Sequence, residues 1–369
     1  MYSEEAIYSI ALNHIPKVST SCAKRLIEVA GSATCVFERP DEWVEKGLIP
    51  PKLVSEFRNT SHLFYAESVF EETEQKGVRI IPLSSSHYPE RLKECDDSPI
   101  LLYYKGNIDL DAKRIISIVG TRKITDYGYK MCERIVHDLA EFDSDIVIVS
   151  GLAYGVDVAA HNAALQNRLN TVGVLAHGLD QIYPSRHRGI AAQMVSHGGV
   201  LTEFPFNTYP ARFNFISRNR IVAGISDATV VVESANTGGS LITADLANGY
   251  NRDCFAVPGR VSDDTSAGCN RLIKEDKAIL IESGADIINY LGWHNKRTTK
   301  PVKQQELFPM DLSDHERLVV SLLQDKGELL LDNLVVMSNI PINQLHPILF
   351  ELEMKGVIRA VVGGTYRLA

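Results

Sequence analysis

The densest group of chemistry-bearing side chains lies between residues 209 and 220, reading Tyr-Pro-Ala-Arg-Phe-Asn-Phe-Ile-Ser-Arg-Asn-Arg. It holds three arginines (Arg212, Arg218, Arg220), three rings (Tyr209, Phe213, Phe215) and no acid. Cations interleaved with rings suit an unpaired polynucleotide. Guanidinium groups track phosphates, and rings offer stacking worth roughly 1–3 kcal/mol per base. On an extended segment Phe213 and Phe215 share a face with Asn214 opposite, which predicts one ring in the core and one exposed. The chemistry this implies is binding, with no bond broken.

Other loops add anion-binding chemistry. Gly120-Thr121-Arg122-Lys123 follows a β-branched run, Ile115–Val119. Gly120 permits a tight turn, the amides of the following helix can face an anion, and Arg122 supplies a planar, permanently charged fork beside Lys123. After the next strand, Gly151 and Gly155 flank the loop Leu152-Ala153-Tyr154 at the same edge. Thr237-Gly238-Gly239-Ser240 is a backbone nest able to hold an anion, and equally a turn with Ser240 as helix cap. Arg186 and Arg188 follow the third strand, and Arg260, Arg271 and Lys274 add charge further on, partly offset by Asp263 and Asp264.

Several function classes are excluded. Neither the dinucleotide fingerprint GxGxxG nor the P-loop GxxxxGK[ST] occurs, so nucleotide-driven chemistry has no support and no cofactor is expected. The cysteines (Cys22, Cys35, Cys95, Cys132, Cys254, Cys269) are scattered without CxxC or a nearby His pair, which predicts reduced thiols and no metal site. No apolar run reaches the ~18 residues of a membrane span, and the start, Met1-Tyr2-Ser3-Glu4-Glu5, is acidic. A cytoplasmic protein with no membrane partner is expected. Net charge is −8, so any nucleic acid must be met by a local cationic cleft on an acidic body.

The 369 residues suffice for two or three domains. Residues 1–79 read as short helices, with Ile7, Ile10 and Leu12 before Pro16 and then Cys22, Leu26, Ile27 and Ala30 at helical spacing. Residues 80–293 alternate strands and helices. The runs Ile115–Val119, Ile146–Val149, Thr171–Leu175, Val200–Thr202, Ala228–Val232 and Cys254–Val257 predict a parallel sheet covered on both faces. The fold class is α/β, an extended Rossmann-like parallel sheet with an N-terminal helical module and a C-terminal winged-helix domain. Ligands of such sheets bind beyond the carboxyl ends of the strands, where the loops above lie. Residues 294–309 form a polar, basic linker, and residues 310–369 read as three helices and a hairpin turning at Gly363-Gly364. Its third helix carries Asn343, Gln344, His346, Glu351, Glu353 and Lys355, a poor cationic surface that suits protein contact better than duplex reading.

Ordered blocks between about Ile115 and Gly284 resemble the DNA-processing protein A (DprA/Smf) family. They are Gly-Thr-Arg (120–122), Ser-Gly-Leu-Ala (150–153), Gly-Leu-Asp-x-x-Tyr-Pro (178–184), Asn-Phe-x-x-Arg-Asn-Arg-Ile (214–221), Gly-Ser-Leu-Ile-Thr-Ala (239–244) and Ala-Val-Pro-Gly (256–259). The first 70 residues resemble a helix-hairpin-helix-related module, but Pro16-Lys17-Val18-Ser19 lacks the usual glycine pair. The resemblance implies homodimerisation, cooperative binding and shielding of single-stranded DNA in natural transformation, and loading of the RecA recombinase. By matched position it implies Arg122, Arg212, Phe215, Arg218 and Arg220 as DNA contacts, with Gly120, Thr121, Lys123, Gly151, Gly239 and Ser240 in the surrounding loops, and Asn219 shaping its loop. Ile216 stands where the family often has proline.

A rival class is the nucleotide phosphoribohydrolases of the related Rossmann fold, which use a Gly-Gly-x-Gly-Thr-x-x-Glu loop. Here that segment is Thr237–Ala244, without the carboxylate. Glu203 and Glu233 remain near strand ends and are expected to bond backbone or pair with arginines. No enzymatic activity is expected. Finally, Gln304-Gln305-Glu306-Leu307-Phe308 resembles the peptide that docks on the bacterial sliding clamp.

Overall fold

Nine short runs form one sheet: β1 Arg79–Pro82, β2 Leu101–Gly106, β3 Ile115–Val119, β4 Val147–Ser150, β5 Asn170–Val174, β6 Gly198–Thr202, β7 Ala228–Val231, β8 Asp253–Ala256 and β9 Ile279–Leu280. The computed structural model that shows them describes residues 2–293, 312–361 and 364–368. The strand order is β1-β2-β6-β5-β4-β3-β7-β8-β9. From β6 to β9 all pairings are parallel, whereas β2 runs antiparallel to both β1 and β6. All six runs read from the sequence are strands here. β1, β2 and β9 are not among them; β2 pairs beside β6, and β1 and β9 are the two edges of the sheet.

β3 is buried along its whole length, so its alternate side chains feed two cores. Ile116 and Ile118 pack with Ile135, Val136 and Ala160 of the helices Asp126–Phe142 and Val156–Gln166. Ile115 and Val119 face the opposite layer, which includes Ile221 and Val222 of the helix Arg212–Gly224. Ser117 Oγ donates to Val222 O at 2.6 Å and ties that helix to the central strand.

The same second core takes in Ile10, Leu26 and Trp43 of the N-terminal helices. Met1–Asn295 therefore forms one unit, and the expected boundary near residue 79 marks a change of element rather than a break in the core. Ser19 and Ser32 cap two of these helices by accepting from Cys22 N and Cys35 N.

Lys296–Ala369 is the second unit. Helices Asp314–Lys326, Leu331–Ser338 and Ile342–Met354 enclose Val319, Leu323, Leu345 and Leu352. A three-stranded sheet joins the hairpin β11 Ile358–Val361 and β12 Thr365–Leu368 to β10 Glu328–Leu330. The arrangement is a winged helix with one short strand beyond the expected hairpin. The clamp-like segment Gln304–Phe308 lies outside the described residues. Among those described, no helix is long and apolar enough to cross a membrane. All six cysteines are free.

Candidate nucleic-acid interface

β4 lies on one side of β3 and β7 on the other, so their loops diverge and leave a crevice at the carboxyl edge of the sheet. A cleft of about 550 Å³ occupies it. Val119–Arg122, Gly151, Ala153, Asp157, the first half of the helix Arg212–Gly224, and Thr237–Thr243 line its walls.

The loop after β3 is drawn in tightly. Thr121 N donates to Glu233 O at 2.7 Å, and Val156 N donates to Thr121 O at 3.1 Å. A Cβ at Gly120 would overlap Val156, so no larger residue lets these three loops close together. The expected anion site at the following helix start is already filled. Glu233, 1% exposed, accepts from Thr125 N at 2.8 Å and Thr125 Oγ1 at 2.6 Å. The protein's own carboxylate sits at that positive helix end, which leaves Arg122 to be presented by the loop.

Arg122 is exposed and its guanidinium lies 5.3 Å from the centre of the Phe215 ring. The segment holding Phe215 is helical from Arg212 rather than extended, so Phe213 and Phe215 diverge by roughly 200° instead of sharing a face. Phe213 is 76% exposed, while Phe215 is half-buried beneath Arg122 in the cleft wall. Neither ring is in the core. Arg212 is exposed and also lines the cleft.

Arg218 and Arg220 depart from the expectation of free cations. Arg218 is only 4% exposed and forms the cleft floor, with Nη1 donating to Val174 O at 2.6 Å. Burial lowers its pKa from the ordinary value, opposed by the nearby Asp157 carboxylate. Asp157 is itself buried; burial raises its pKa, offset first by Arg218. Arg220 is absent from the cleft. It is 7% exposed and donates to Glu203 at 2.5 Å, a buried ion pair. Expected as a DNA contact, Arg220 is instead paired with Glu203 beneath the surface and lies outside the cleft lining. Lys123 is exposed but lies outside the cleft lining, its amide donating to Thr121 Oγ1 at 3.1 Å.

On the β7 side the helix Gly239–Gly249 opens with Gly238 as its cap, not Ser240. Ser240 Oγ donates instead to Ser234 Oγ at 2.9 Å. The Gly238–Ser240 backbone still lines the cleft, and first-turn amides of a helix have no partner within it. The assembled groups are three guanidiniums, one ring and a helix start, around the single buried acid Asp157. They can hold phosphate and stack a base. The two candidate general acids are both occupied, Glu203 by Arg220 and Glu233 by Thr125.

Tyr183 was not singled out from the sequence, yet its ring centre lies 6.0 Å from that of Phe215. It belongs to the loop after β5, about thirty residues upstream, so only the fold brings the rings together.

Residues 79–292 match the family model for DNA recombination-mediator protein A, and residues 304–364 match the DprA winged helix domain. The chain belongs to the DNA recombination-mediator protein A family. Relatives within it include the DNA processing protein DprA of Streptococcus pneumoniae, 41% identical over 201 residues covering 54% of this chain and 70% of that protein. DprA of Bacillus subtilis is 39% identical over 62% of this chain and 76% of its own, and Protein Smf of Escherichia coli 34% identical over 80% and 79%. The solved DprA of S. pneumoniae superposes with a TM-score of 0.64 at 32% identity, covering 77% of this chain and 97% of that one. DprA from Helicobacter pylori gives 0.52 at 29% identity, over 58% and 95%.

Proposed function

We propose that this protein binds single-stranded DNA in the cleft at the β3/β7 switch point, shields it, and delivers it to the RecA recombinase during natural transformation. The observation that carries the binding step is the convergence of Arg122, Arg212 and Arg218 on one cleft that also holds Phe215. Guanidiniums and a ring in one crevice fit alternating phosphates and bases, and bind them without reading sequence. The H. pylori relative, similar in fold over 58% of this chain, binds single-stranded DNA.

The role is binding rather than catalysis. The carboxylates that a phosphoribohydrolase would need are engaged in holding loops and Arg220. The protein acts in the cytoplasm as a homodimer, so that two clefts share one strand, and needs no cofactor. The winged helix, whose third helix exposes Phe350 and Met354 on either side of Glu351 and Glu353, serves protein contact. The clamp-like Gln304–Phe308 segment supplies a second docking point.

Fluorescence anisotropy with single- and double-stranded oligonucleotides over a range of salt tests the central step. The expected result is strong preference for the single strand, with affinity falling steeply as salt rises. Equal affinity for both forms, or release of base from nucleoside monophosphates, rejects it.

A further inference from the structure

Beside the cleft, the loop after β5 carries a ring in an unusual setting. Tyr183 is 48% exposed, yet its backbone amide is anchored. Its amide donates to His177 Nε2 at 3.2 Å, and His177, 1% exposed, places Nδ1 2.9 Å from Gly178 O. An exposed ring on an anchored seat loses little further freedom when a ligand covers it.

Its relation to Phe215 is equally specific. The two ring centres are 6.0 Å apart with planes inclined at 60°. Rings so inclined do not cover one another's faces, and the Tyr183 ring, 48% exposed, keeps surface for a ligand beside Phe215. A planar base that stacks on one ring presents its edge to the other, which is the favoured arrangement of aromatic pairs. Arg122, 5.3 Å from the Phe215 centre, supplies a cation next to the ring pair for the adjoining phosphate. Tyr209 and Phe213 are more exposed, at 75% and 76%, but among the described residues neither has a ring neighbour that would make such a pair.

We infer that Tyr183 and Phe215 form an aromatic notch that receives one unpaired base of the bound strand, with Tyr183 as its stacking face. This rests on the cleft being the single-stranded DNA site. The notch explains selection of the unpaired strand more directly than the arginines do. A base inside a duplex has both faces covered by its neighbours, whereas phosphates are present in either form. Since every base has a face to stack, the notch adds affinity without sequence preference.

Two ligands of equal length separate the parts of the site: a 20-nucleotide oligothymidine, and a 20-unit phosphodiester in which every base is replaced by tetrahydrofuran. The wild-type protein should hold the intact strand more tightly. Tyr183→Ala should weaken binding of the intact strand by roughly 5- to 150-fold and leave the abasic ligand unchanged. Tyr183→Phe, which keeps the ring, should stay within about twofold of wild type on both. Thermal unfolding of the variants shows that the loop is intact, and 2-aminopurine in the strand should lose its stacking quench only in Tyr183→Ala. Wild-type affinity of Tyr183→Ala for the intact strand, or equal losses on both ligands, removes the notch while the cleft stands. A wild-type protein that holds neither ligand removes both.

Discussion

The Arg218 guanidinium occupies the space above Gly151 in which any other residue would place its Cβ. Glycine after β4 is thus the counterpart of a buried arginine on the helix Arg212–Gly224, 67 positions later in the chain. Gly151→Ala should push Arg218 off Val174 O and cost about 1–3 kcal/mol of stability, typical of overpacking. Urea denaturation checks the loss, and anisotropy should show weaker oligonucleotide binding in the same variant.

The Arg220–Glu203 pair should behave as structure rather than as interface. Both side chains are buried, so Arg220→Ala leaves a lone carboxylate and should lower the unfolding free energy by about 3–5 kcal/mol. Adding Glu203→Ala should recover part of it. Arg218→Ala should also destabilise, because its guanidinium is the cationic neighbour of buried Asp157. A wild-type urea midpoint for Arg220→Ala contradicts this account.

Arg122 and Arg212, both exposed, should show the opposite pattern. Replacing either by alanine should leave the melting temperature unchanged and weaken single-strand binding at physiological salt. The slope of log affinity against log salt should fall in magnitude by about 1 for each cation removed. Titrations at four or five salt concentrations measure it.

His161 gives a pH dependence whose sign is fixed by burial. Its Nδ1 meets Thr171 Oγ1 at 2.6 Å, and burial, aided by Arg218 and His187, pushes the imidazole pKa down to about 3. The folded protein holds it neutral while the unfolded chain takes up a proton below about pH 6.5, so stability is complete above that pH and falls between about 6.5 and 3. Between pH 7 and 5 this one group should cost roughly 2 kcal/mol. His161→Asn, which retains a partner for Thr171, should remove that share of the loss. Parallel urea titrations at the two pH values compare them.

Much of the site was legible locally. Gly120, Arg122 and Gly151 stand in loops after β-branched runs, Arg212 and Gly239 open helices, and all line the cleft. A strand signal and a following glycine are neighbours in sequence, so periodicity locates them. The role of Arg220 was not legible, because its partner Glu203 lies on a different segment and reads as one more acid near a strand end. Glu233 was expected to bond backbone or an arginine; that its partner is Thr125 was not legible, because the bond spans 108 positions.

The chain's residue order alone settled the parallel core strands, the winged helix and the set of loops at one sheet edge, since side-chain period and turn chemistry act over a few residues. The tertiary structure decided which charges face water. The helix Arg212–Gly224 presents Arg212 and Phe215 to the cleft but drives its second half into the sheet, burying Arg218 and Arg220. Identical guanidiniums eight residues apart differ because one meets solvent and another meets a carboxylate, and only packing between distant segments determines that.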